Sequence, residues 1–208
     1  MIQVHHLNDS RSQRVLWLLE ELNQQYEVVR YQRNKRTLRA PDALKRVHPL
    51  GKSPVIEDRG LILAETGLIV EYLVERYGPD LAPPRQDDLY WRYRYWLHYA
   101  EGSAMPQLLL KLFVDRLGVL AWPARKTVTD QLKLHLDYLE AEINPGPWFL
   151  GERFSAADIM LSFPLETARA RAGLDETRPK LLDFLQRIHS RPAYQRALER
   201  GGPYAYGA

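Results

Sequence analysis

Residues 78–84 read Gly-Pro-Asp-Leu-Ala-Pro-Pro, and no regular element can run through them. Each proline fixes φ and lacks a backbone donor, so a helix arriving from the N-terminal side has to stop there. The residue pattern also changes across this break. Before it, short strand-like and helix-like segments alternate; beyond it the strand signal vanishes. The expected organisation is therefore an α/β domain at 1–78, a linker at 79–87 and an all-α domain at 88–208. A chain of 208 residues is long enough to give both parts a buried core.

Within the first part, residues 2–7 read as a strand. Val15, Leu18, Leu19 and Leu22 then recur at helical spacing, marking a helix over 12–24 with one apolar stripe. Residues 26–31 form the next strand, and a strand–helix–strand unit of this kind places its strands in parallel. Residues 55–58 and 61–63 flank Arg59-Gly60, the signature of a tight antiparallel hairpin. A helix over 65–77 follows, with Ile69, Tyr72 and Leu73 inward. In the second part, Leu132, Leu136, Leu139 and Ile143 mark one amphipathic helix, and Leu181, Leu185 and Ile188 another. The aromatic-rich stretch 90–117 reads as one helix broken near Gly102 or Pro106. Pro123 and the Asn144-Pro145-Gly146-Pro147 run separate elements, and the tail 201–208 is expected to fray.

Composition removes several classes of chemistry. With no cysteine there is no disulfide, thiolate zinc site, iron–sulfur cluster or cysteine nucleophile. The six histidines make no i,i+4 pair, and adjacent His5 and His6 point to opposite faces of a strand, so no metal site is expected. Phosphate-loop, Gly-x-Ser-x-Gly and kinase signatures are missing. The net charge of +3 is spread along the chain and gives no reason to expect a nucleic-acid partner. Apolar runs are far shorter than the roughly 20 residues of a membrane span. The first residues lack the basic and apolar regions of a secretory signal, so the expectation is a cytoplasmic protein with no membrane partner. One basic concentration stands out: Arg30, Arg33, Lys35, Arg36, Arg39, Lys45 and Arg46. It fits a solvated face or a rim that attracts a small anion.

Three segments carry candidate chemistry. The turn Asn8-Asp9-Ser10-Arg11-Ser12-Gln13-Arg14 joins the first strand to the first helix. Ser10 with Gln13 fits a capping box, and Ser12 is a second cap candidate. A serine here also stands where unpaired N–H groups and the positive helix end favour an anion. The second segment is Pro49-Leu50-Gly51-Lys52-Ser53-Pro54-Val55-Ile56, in which Pro54 can occupy only the first strand position or an edge. A cis bond before it would leave the Ser53 backbone free to pair with an extended ligand. The third, Ala64-Glu65-Thr66-Gly67, opens a helix directly after a strand and reads as a helix cap or an anion seat. The aromatic residues Trp91, Tyr93, Tyr95, Trp96 and Tyr99 fit helix packing better than a ligand box.

Together these segments resemble the N-terminal half of the soluble glutathione S-transferases, of a bacterial-like class with serine at the catalytic position. The resemblance runs through Ser-x-Ser-x-Arg-Val, Pro-x-Gly-Lys-x-Pro-x-Ile-x-Asp and Glu-Thr-Gly-x-Ile-x-x-Tyr-Leu. Phe154-Ser155-Ala156-Ala157-Asp158-Ile159 resembles the same family's C-domain capping motif: a Ser155–Asp158 capping box plus a staple of Phe154 against Ile159. The resemblance implies a thioredoxin-like α/β N-terminal domain and an all-α helical bundle domain that contributes the electrophile pocket. It also implies glutathione as co-substrate and a homodimer active in detoxification.

Carried over residue by residue, the resemblance gives Ser10 as the catalytic hydroxyl, with Ser12 and Asn8 as rivals. Ser10 is placed first because it directly follows the strand end. Ser53, before Pro54, would pair with the cysteinyl unit, and Glu65-Thr66 would hold the γ-glutamyl end. Lys52 would reach the glycyl carboxylate, with the basic loop around Arg36 and Arg39 as a further source of positive charge that no motif assigns to one residue. A thiol of pKa about 8.5 is only a few per cent thiolate at pH 7. A serine O–H donated to sulfur, aided by the helix end, would lower that value by about one to two units. The expected reaction is thiolate attack on a small apolar electrophile, with the segment 90–99 and Met105 as a candidate acceptor wall. Glutathione-dependent disulfide or peroxide reduction is the alternative, and a non-catalytic interaction module the third reading.

Overall fold

A computed structural model describes residues 1–34, 36–37, 39–143 and 146–207; Lys35, Asn144 and Pro145 of the segments above, and Ala208 at the end of the tail, lie outside them. The chain forms two compact units, Met1–Leu81 with His189–Ala208, and Ala82–Ile188. The expected division left all of 88–208 in the helical part. The difference lies in the last twenty residues, which belong to the first unit.

The first unit is built on a four-stranded mixed sheet of order β2-β1-β3-β4, with strands β1 (Ile2–Leu7), β2 (Tyr26–Tyr31), β3 (Val55–Asp58) and β4 (Leu61–Ala64). Strand β1 pairs in parallel with β2 and antiparallel with β3, and β3 makes an antiparallel hairpin with β4. Helices α1 (Ser12–Glu21) and α3 (Thr66–Tyr77) pack on each other, and short α2 (Ala43–Val47) precedes the hairpin. Val4, Val15, Leu19, Ile56, Ile69 and Leu73 are fully buried and form the core. This is the thioredoxin-like arrangement. The asymmetric connections follow from the chain: a helical crossover is needed between parallel β1 and β2, whereas Arg59-Gly60, both at positive φ, closes β3 onto β4.

Helix α1 departs from the one-striped helix of the sequence reading. Residues 12–20 are all buried, the polar Gln13, Arg14 and Glu20 included. The cause is α9 (Pro192–Gly201), which lies along the face that the local pattern leaves to solvent. Glu20 accepts from Tyr26 and Arg196 at 2.8 Å each, and Glu21 accepts a two-pronged bond from Arg191. Trp17 meets Tyr194 edge-on, with ring centroids 5.3 Å apart. The described part of the tail is also tied down: the Ala205 N–H donates to Asp9 at 2.8 Å.

The second unit is mostly helical. Helix α4 (Leu89–Tyr99) passes through a π-helical turn, Ala100–Ala104, into α5 (Met105–Leu117). The expected break near Gly102 and Pro106 is this wide turn, which admits the small residues Ala100 and Ala104 to the core. Helices α6 (Trp122–Glu142), α7 (Ala156–Arg171) and α8 (Pro179–His189) follow. Trp96, Tyr99 and Met105 are buried among them, so these members of the proposed acceptor wall are core residues, while Trp91 and Tyr95 are exposed. At the start of α7, Ser155 and Asp158 form the expected capping box. Asp158 is fully buried and accepts from the N–H groups of Phe149 (2.9 Å) and Ser155 (2.8 Å). No helix among the described residues is long and apolar enough to cross a membrane.

Candidate functional site

Sheet register brings the three candidate segments together. His5 pairs with Val55, and Val55 pairs with Ala64, so one row crosses β1, β3 and β4. Strand β1 leaves that row toward the Ser10 turn, β3 enters it from Ser53-Pro54, and β4 leaves it toward Glu65-Thr66. All three segments therefore emerge at the same end of the sheet. Strands lie about 4.8 Å apart, so the outer two segments are separated by roughly 10 Å, the span of an extended tripeptide.

The Ser53–Pro54 peptide is cis, and Pro54 stands just before β3, where no ladder donor is needed. The Ser53 hydroxyl donates to the His5 carbonyl at 2.8 Å and accepts from the Leu7 N–H at 3.3 Å, fastening this turn to the end of β1. Among the described residues, no hydrogen bond takes up the Ser53 backbone N–H or C=O. Gly51 precedes it at φ 57, with the Lys45 stem packed where a Cβ would project, so both conformation and space call for glycine. Lys52 is exposed. Glu65 is also exposed and sits at φ 71, a left-handed conformation that costs a non-glycine residue on the order of 1 kcal/mol. Buried Thr66 then opens α3, whose N-terminal end suits an anion. Strained residues cluster where the surroundings over-determine them, and ligand seats are one such place.

The first turn differs most from its sequence reading. The Ser10–Gln13 side-chain capping box is not formed. The Gln13 side chain instead lies against Gly201 of α9, while its N–H donates to the Ser10 carbonyl at 3.1 Å. Ser10 Oγ and Ser12 Oγ are 2.7 Å apart, and Ser12 Oγ lies 2.9 Å from His6 Nδ1. Ser12 is wholly buried and also accepts from the Leu7 N–H at 3.3 Å. Asn8 is fully engaged: its Oδ1 accepts from the Arg33 N–H and its Nδ2 donates to Asp9 at 2.8 Å. Arg33, singled out in the sequence only for its charge, staples this turn through the Asn8 carbonyl at 3.1 Å. Arg36 and Arg39 have exposed side chains.

His6 is the residue of this site that sequence reasoning missed. A lone histidine on a strand carries no signal, because its partners lie on α1 and α9. Burial pushes its imidazole down to about 4, with Arg30 adding to the effect and Asp9 and the Gly201 backbone opposing it. The ring is therefore neutral at physiological pH. An unfolded chain takes up a proton near 6.5, which the folded chain refuses until about 4. Stability attributable to His6 is thus intact above pH 6.5 and lost as pH falls toward 4, by on the order of 3 kcal/mol. Denaturant unfolding across that window should show this loss in the wild type and a clear reduction of it in His6→Asn.

No cluster of potential metal ligands occurs among the described residues. The arrangement suits an extended, carboxylate-bearing peptide: backbone pairing in the middle, a helix end and a carboxylate on one side, and a hydroxyl cluster on the other.

The chain resembles known proteins over both of its parts. Residues 1–75 match the glutathione S-transferase N-terminal domain and residues 95–187 the C-terminal domain. Glutathione S-transferase 1 of Saccharomyces cerevisiae is 34% identical over 96% of this chain and 95% of its own. The disulfide-bond oxidoreductase YfcG of Escherichia coli is 27% identical, covering 95% of this chain and 94% of its own. Among solved structures, a glutathione S-transferase from Actinobacillus pleuropneumoniae superposes with a TM-score of 0.89 at 34% identity, over 99% of this chain and 94% of its own. A sphingomonad glutathione S-transferase complexed with glutathione gives 0.78 at 25% identity, over 96% and 98%. With domain models covering most of the chain and relatives of this identity along nearly its full length, the protein belongs to the glutathione S-transferase family.

Proposed function

We propose that this protein is a glutathione transferase that binds glutathione across the β1–β3–β4 end of the sheet and holds its thiol as the thiolate for attack on an apolar electrophile. The observation that carries the reading is the shared row His5–Val55–Ala64, from which the segments bearing Ser10, Ser53 and Glu65-Thr66 leave at one end of the sheet. The Ser53 backbone pairs with the cysteinyl unit, Glu65 and the α3 end hold the γ-glutamyl group, and Lys52 meets the glycyl carboxylate. Ser10 donates to the sulfur. Ser12 is a poorer candidate because its hydroxyl is wholly buried and tied to His6 and Leu7. Serine is far too weak an acid to serve as the base, so the nucleophile is the cofactor's own sulfur. The protein is proposed to act as a cytoplasmic homodimer.

A second reading is favoured by one relative, the disulfide-bond oxidoreductase, and by the missing cysteine: glutathione would supply every sulfur of a disulfide or peroxide reduction. Calorimetric titration with glutathione should saturate in the micromolar to millimolar range. Turnover of a chlorodinitrobenzene-type electrophile then supports conjugation. Turnover of a mixed disulfide or hydroperoxide without conjugation supports reduction. No binding at millimolar glutathione contradicts both and leaves a non-catalytic module.

A further inference from the structure

The hydrogens of the Ser10–Ser12–His6 cluster can be placed one by one. His6 Nε2 faces Gly201, whose backbone is the acceptor available to a ring N–H on that side. In a neutral ring Nδ1 then carries the lone pair. Ser12 Oγ, 2.9 Å from Nδ1, has to supply the hydrogen, and this uses its single proton. The Ser12 lone pairs face the Leu7 N–H at 3.3 Å and the Ser10 hydroxyl at 2.7 Å. Ser10 Oγ in turn accepts the Ser12 N–H at 3.3 Å. Each hydrogen has one place except that of Ser10, which can turn inward to Ser12 or outward.

We propose that His6 is a positioning residue: held by the Gly201 backbone, it draws the Ser12 hydrogen inward, so that Ser10 carries the one hydroxyl hydrogen free to choose between Ser12 and the glutathione sulfur. The proposal rests on the reading that Ser10 faces that sulfur. It makes the two bonds compete, because a thiolate gains the Ser10 hydrogen only as Ser12 loses it. Without the Nδ1 acceptor the direction reverses. The Ser12 hydroxyl swings to Ser10 Oγ, nearer at 2.7 Å than the Leu7 carbonyl at 3.4 Å, and displaces the Ser10 hydrogen outward. A merely structural His6 predicts the opposite, since a loosened turn would donate less well. The charged groups acting on the ring are Arg30 of β2 and Asp9 of the turn, and the variants below leave both in place.

The test is a pH titration of thiolate absorbance with saturating glutathione in the full chain, for wild type, His6→Phe, His6→Asn, Ser12→Ala and Ser10→Ala. His6→Asn keeps an acceptor toward Ser12 and should titrate as wild type. His6→Phe should shift the thiol toward the thiolate by about threefold to tenfold, the worth of the neutral bond no longer forfeited. Ser12→Ala removes the inward acceptor directly and should shift the same way, which keeps the test decisive if His6→Phe folds poorly. Titration of His6→Phe and Ser12→Ala at or above the wild-type midpoint, with Ser10→Ala raised, overturns the role of His6 and leaves Ser10 in place. A Ser10→Ala midpoint equal to wild type overturns the Ser10 reading and this inference with it.

Discussion

Ser10→Ala is expected to cut the conjugation rate at pH 6.5–7 by about 10- to 100-fold, with the deficit closing as the pH rises past that of the free thiol. A hydrogen bond to a charged acceptor contributes about 1.5–3 kcal/mol, which at 1.4 kcal/mol per unit is one to two units of thiol pKa. Below the shifted value the rate follows the thiolate fraction, so the whole difference appears. Above about pH 9 glutathione is ionised with or without help, and only the geometric share of the loss persists. Ser12→Ala should make the thiol more acidic, because Ser10 keeps its own hydrogen and has no inward acceptor left. The variant should also lose stability, since the buried His6 Nδ1 is left without its 2.9 Å hydrogen-bond partner. Rate profiles over pH 5.5–9.5 for the two variants separate these outcomes. A Ser10→Ala profile parallel to wild type at every pH would count against a role in ionisation.

Asp158→Ala is expected to destabilise the helical unit by about 3–5 kcal/mol. The carboxylate is wholly buried and accepts from the Phe149 and Ser155 N–H groups at 2.9 and 2.8 Å and from the Ser155 hydroxyl at 3.2 Å. Alanine leaves two buried backbone donors unpaired at about 1–3 kcal/mol each, and the one on Ser155 is the reciprocal half of the α7 capping box. The loss extends beyond one helix, because Phe149 is itself fully buried and packs edge-on against Trp96 and Phe184 at 4.9 and 5.3 Å. Denaturant unfolding should show the midpoint falling sharply in Asp158→Ala and less in Asp158→Asn, which retains one acceptor. Unchanged midpoints would show that the box is dispensable.

What the sequence made legible was local. The strand and hairpin boundaries, Pro54 at a strand start, the Glu65-Thr66 opening of a helix and the Ser155–Asp158 box all depend on residues within a few positions of each other, and there periodicity and capping chemistry suffice. The places that differed depend on α9, whose contacts with α1 span more than 170 positions. Glu20 and Glu21 look like a solvated pair until Arg191 and Arg196 arrive. Gln13 fits a capping box until Gly201 draws its side chain away. His6 is an isolated strand histidine until α9 closes over it. The same long-range contact moves the last twenty residues from the helical part to the first unit.

The most direct measurement is the ionisation midpoint of glutathione bound to the wild-type protein, followed by thiolate absorbance. A midpoint about one to two units below the free value of roughly 8.5, raised back toward it in Ser10→Ala, is the predicted result. A bound thiol that titrates like free glutathione would contradict the account.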